Sequence, residues 1–106
     1  MVANKQDAPQ EAIVIRVNLT EHLATLQAEE ARRPLNQRRK VPSISELARA
    51  TGINRASLYN WAGNKYESTR HDILVAVINE LRRQGFSTEV EDLLKEHPAS
   101  TVKEAA

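Results

Sequence analysis

Within the stretch ELARATGINRASLYNW, residues 46 to 61, four side chains are of types that can read nucleic-acid bases. Arg55 can donate two parallel N–H groups to guanine O6 and N7, Asn60 can pair with adenine N6 and N7, and the Ala56 methyl suits the methyl of thymine. Tyr59 offers a ring to a base or a hydroxyl to a phosphate. At about 100° per residue from Arg55, Tyr59 falls near 40°, Ala56 near 100° and Asn60 near 140°, while Trp61 and Leu58 fall near 240° and 300°. One helix therefore carries a polar face opposite an apolar one, and the apolar one belongs to a core.

Other chemistry finds less support. His22, His71 and His97 are scattered over three predicted helices without ligand spacing, and the chain has no cysteine, so no metal and no cofactor are expected. Ser43, Ser45 and Ser57 have cap or helix-surface explanations. No serine, histidine and acid arrangement and no glycine-rich phosphate loop is visible, so the chain is not expected to be an enzyme. The absence of an eighteen-residue apolar run and of a cationic leader makes a soluble, cytoplasmic protein without a membrane partner the expectation.

Charge adds a direction. The net charge of +1 hides an uneven distribution: residues 32 to 65 hold eight basic side chains and one acid, Glu46, while both flanks are acidic. Such a middle third attracts polyanions, with counterion release driving much of the binding; a basic loop that merely keeps the protein soluble is the alternative.

The elements that must position these residues follow from periodicity and capping. The chain's 106 residues, 41% of them hydrophobic, suffice for one domain with a modest core. That domain is expected over residues 12 to 97, between flexible tails at 1 to 11 and 98 to 106. AIVIRV, residues 12 to 17, reads as a strand in need of a partner, which could come from another chain. Asn18 with Glu21 forms a capping-box pattern before a helix at about residues 19 to 32, ended by Pro34. The basic, proline-bracketed segment from 32 to 42 suits an exposed connection. Ser43 with Glu46 opens a second helix ending by Gly52, and Asn54 caps a third over residues 55 to 62, closed by Gly63 and Asn64. Thr69 with Asp72 starts a fourth, whose stripe of Ile73, Leu74, Val77, Ile78 and Leu81 stops at Gly85. A last helix is expected from Thr88 or Glu89 to His97. The fold class is therefore all-α: a compact bundle of about five short helices with an N-terminal strand available for dimerisation.

A helix, a glycine turn and a second helix with Leu47, Ile53, Leu58 and Trp61 between them meet the demands of two closely crossing helices, with Ala48 small at the approach. LARATGINRASLYNW followed by GNKYESTRHDILVAVINEL resembles the Cro and lambda-repressor type (Xre-like) helix-turn-helix family, over roughly residues 17 to 96 and most strongly from Ser43 to Leu81. The resemblance implies that the face of Arg55, Ala56, Tyr59 and Asn60 enters the major groove of double-stranded DNA and contacts bases. Phosphate contacts are expected from the helix start at Ser43 and Ser45, from Asn54, Ser57, Asn64, Lys65, Tyr66 and Arg70, and from the cluster Arg38, Arg39 and Lys40. The function so implied is sequence-specific transcriptional regulation, most simply repression, by a homodimer on two half-sites. An antitoxin or protein-binding adaptor, or a recombination accessory factor, would use the same fold.

Overall fold

The computed structural model describes residues 12–99. Among them the chain runs through strand β1 (Ile13–Val17), helix α1 (Leu19–Ala31), a single 3-10 turn (Leu35–Gln37), α2 (Ile44–Thr51), α3 (Arg55–Ala62), α4 (His71–Arg83), the one-turn helix α5 (Val90–Leu93) and strand β2 (Leu94–Pro98). The fold is mostly helical and carries one two-stranded antiparallel sheet. No helix of the described residues is long and apolar enough to cross a membrane. The tails expected at residues 1–11 and from residue 100 onward lie outside the described residues.

Local signals set most boundaries. Ser43 Oγ accepts from the Glu46 N–H and Glu46 Oε1 accepts from the Ser43 N–H, the reciprocal box that starts α2. Gly52 ends it at φ +79°, a left-handed conformation that side chains disfavour. Asn54 Oδ1 then accepts from Ser57 N–H at 3.2 Å and starts α3. At the end of α4, Gly85 at φ +94° lets Phe86 N–H reach Leu81 O at 2.9 Å, which satisfies an orphan carbonyl and turns Phe86 into the core.

Two expected starts differ. Asn18 makes no side-chain cap, because its N–H completes the sheet by donating to Leu93 O at 2.7 Å and its ψ of 31° is not the extended geometry a capping residue needs. Helix α4 begins at His71 after Arg70 at φ +50°; Thr69 stays outside because its carbonyl accepts the indole N–H of Trp61 at 2.7 Å.

The larger correction is at the C-terminal end. Residues 94–98 form a strand in place of a helix continuing to His97, and Pro98 and Ala99 belong to the ladder in place of the tail. The register runs Ile13↔Pro98 through Ile15↔Glu96 to Val17↔Leu94. β1 therefore finds a partner in its own chain, and the molecule is mostly helical instead of all-α. The backbone of β1 could not be left unpaired on both sides, and the segment after Leu93 is the one that folds back beside it.

The core is a single cluster that draws on every helix and on β1. Leu19, Leu23 and Leu26 of α1 meet Leu47 and Ala48 of α2, Leu58 and Trp61 of α3, the α4 stripe, Phe86 and Leu93. Two polar devices brace it. His22 Nε2 lies 3.0 Å from the fully buried Thr88 Oγ1, and Arg39 clamps the 32–42 connection. The Arg39 backbone N–H donates to Glu30 Oε1 and its Nη2 to Glu30 Oε2, both at 2.7 Å. Its Nη1 donates to Gly85 O at 2.7 Å, and its guanidinium lies 4.5 Å from the Phe86 ring centre.

Candidate nucleic-acid interface

Helix α3 is held by its apolar side. Leu58 is 0% and Trp61 1% exposed, and the indole hydrogen bond to Thr69 fixes the rotation of the helix about its axis. Arg55, Ala56, Tyr59 and Asn60 all lie on the exposed side, as the 100° spacing places them. The side chains of Arg55 and Asn60 make no hydrogen bond among the described residues, which leaves their full donor and acceptor sets available. Tyr59, 48% exposed, shares a 3.1 Å hydrogen bond between its hydroxyl and Ser45 Oγ. That bond ties the outward face of α3 to the first turn of α2.

Beside this face lies an open depression of about 240 Å³ lined by Ser45, Ala48, Arg49, Ile53 and Arg55. Arg49 is exposed, and its side chain has no ion pair or hydrogen bond among the described residues. The sequence reading did not place it at the site. Its position on the second turn of α2, one turn beyond Ser45, was the available signal.

The expected phosphate set divides by how much of each side chain is already engaged. Lys65 is exposed and unpaired among the described residues, just past the end of α3. Ser43, Ser45, Asn54 and Ser57 sit at the starts of α2 and α3, where the side chains of Ser43 and Asn54 cap their own helices. Lys40 pairs with Glu46, and this contact, with the Ser43 hydrogen bonds, holds the Glu46 carboxyl below the usual carboxylate range. Arg70 is paired with Asp72 through two hydrogen bonds of 3.1 and 3.0 Å and lies 4.9 Å from the Tyr66 ring centre. The same hydrogen bonds raise the Arg70 pKa and lower that of Asp72.

Three more members of that set have structural partners. Arg38 donates to Arg33 O and Ala31 O at 3.0 and 2.9 Å. Arg39 is the clamp already described. Asn64, at φ +61°, accepts the Val17 N–H on Oδ1 at 2.7 Å and donates from Nδ2 to Val17 O at 3.1 Å. Its amide behaves as a third strand one residue long beside β1.

No grouping of histidines and acids that could hold a metal ion occurs among the described residues. The chain matches no protein-family model, no curated protein and no solved structure.

Proposed function

We propose that this protein is a sequence-specific binder of double-stranded DNA, a regulator of helix-turn-helix type in which α2 braces the duplex backbone and α3 enters the major groove. The observation that carries this reading is the division of α3. An arginine, an alanine, a tyrosine and an asparagine stand in solvent on one side, over a tryptophan and a leucine that are locked beneath. Arg55 and Asn60 have the donor and acceptor patterns that distinguish guanine and adenine in the major groove, and Ala56 between them is small enough for close approach. Arg49, Lys65 and the α2 amino end supply backbone attraction around them. The simplest regulatory mechanism is occlusion of a promoter.

The test is selection of bound sequences from a random duplex pool by the full chain, repeated with Arg55→Ala. A defined motif should emerge, and the variant should lose preference at one guanine of it. Selection of no motif, or an unchanged motif in the variant, would sink the assignment of α3 as the reading helix.

A further inference from the structure

The two edges of the sheet are unequally finished. Asn18 N–H donates to Leu93 O and Ala99 N–H to Ala12 O, so in the β1–β2 register residues 12, 14, 16 and 18 turn their backbone groups toward β2. Ile13, Ile15 and Val17 direct theirs outward. The Val17 groups are occupied by the Asn64 amide. On β2 the outward residues are Leu94, Glu96 and Pro98. The Leu94 N–H is held by Val90 O, Pro98 has no N–H, and Glu96 carries a charge, so that edge is closed by the devices sheets use against further pairing. Among the described residues, only Ile13 and Ile15 of β1 keep four backbone groups open on that side, beneath side chains that are 54% and 44% exposed.

We propose that a second copy of this chain occupies that edge, with β1 pairing antiparallel to β1 of its partner about a twofold axis at Val14. In this register Ile13 lies opposite the partner's Ile15, and Ile15 opposite the partner's Ile13. All four open groups are then satisfied, Val17 stays with Asn64, and aliphatic side chains pair across the seam. The two registers displaced toward Val17 fail. An axis at Ile15 sets Ile13 against Val17, whose groups are taken, and an axis at Arg16 puts two guanidiniums directly opposite each other. With the axis at Val14, the two Arg16 positions are offset by four residues, about 13 Å, which exceeds the Debye length at physiological salt. Strand β1 carries no other charge, so this pair is the one like-charge contact the register has to keep apart. The proposal goes beyond the DNA-binding reading and does not rest on it.

Sedimentation equilibrium of the full chain at micromolar concentrations tests it. The wild type should be a dimer, and Ile15→Lys should halve the apparent mass while its circular dichroism remains that of the folded chain. A mixture of Ile13→Lys and Ile15→Glu chains should form heterodimers, because only those positions face each other, whereas Ile15→Lys with Ile15→Glu should not. A monomeric wild type, a dimeric Ile15→Lys, or pairing of the two position-15 variants would overturn the proposal. If the lysine variant does not fold, amide exchange in the wild type decides: the Ile13 and Ile15 amides should be protected at high concentration and lose that protection on dilution. Exchange that is independent of concentration would overturn the proposal equally.

Discussion

Asn64 shows how one side chain can have a duty that its neighbours on the exposed face lack. It needs a left-handed backbone and makes two hydrogen bonds to Val17, so two effects can be separated by substitution. Asn64→Gly keeps the backbone free of strain and should cost about 1 to 3 kcal/mol through the lost bonds, and Asn64→Ala should cost more because φ is also disfavoured. Urea denaturation of both variants checks the order. On the face proposed to read DNA, Arg55→Ala should cost about 1 to 3 kcal/mol of discrimination at a single base pair with little change in stability, measured by competition between matched and mismatched duplexes. The exposed face of α3 was legible because 100° spacing alone sorts residues 55 to 62 into two sides. Asn64 and Arg39 were not legible in this way. Their partners Val17 and Gly85 are 47 and 46 residues away, and nothing local marks a contact that the folded chain has to bring together.

Helices α2, α3 and α4 follow the sequence closely because each carries its own punctuation: a serine-glutamate box, an asparagine cap, and an apolar stripe stopped by glycine. The segment LLKEHP has none, and its pattern fits a short helix as well as a strand; pairing with β1 decides in favour of the strand. Helices α1 and α4 each hold a group whose ionisation is linked to folding. In α4, hydrogen bonds from Arg83 and then Gln84 hold the Glu80 carboxyl down at about 2, from an ordinary 4.5. Because the folded value is the lower one, this contribution is full above about pH 4.5 and is lost as the pH falls toward 2. Glu80→Gln should therefore lower the urea midpoint at neutral pH and flatten its acid limb. In α1, burial is the main cause that holds His22 below 6.5, with Asp92 and Glu29 opposing it. The unfolded chain then takes up the proton first, so stability should fall as the pH drops below about 6.5, and His22→Gln should remove that part of the slope. Midpoints measured between neutral pH and about pH 5 separate the histidine from the glutamate.

For the molecule as a whole, charge and packing divide the labour. The basic middle third is partly spent on internal pairs, namely Arg39 with Glu30 and Lys40 with Glu46, which leaves Arg49, Arg55 and Lys65 as the exposed cations around α3. Binding to duplex should weaken steeply with salt, and Lys65→Ala should reduce the magnitude of the log–log slope by about 1 while weakening all sequences alike. A variant that loses affinity for one sequence only would move Lys65 from the backbone set to the base-reading set. One further consequence comes from the indole beneath α3. Trp61 is the chain's single tryptophan and is shut away from water behind the face proposed to meet DNA. Its fluorescence should be blue-shifted and slow to quench with acrylamide, and should stay so when duplex is added. The same signal should collapse once α3 peels from its neighbours, making this ring an intrinsic optical gauge of whether that helix is still seated.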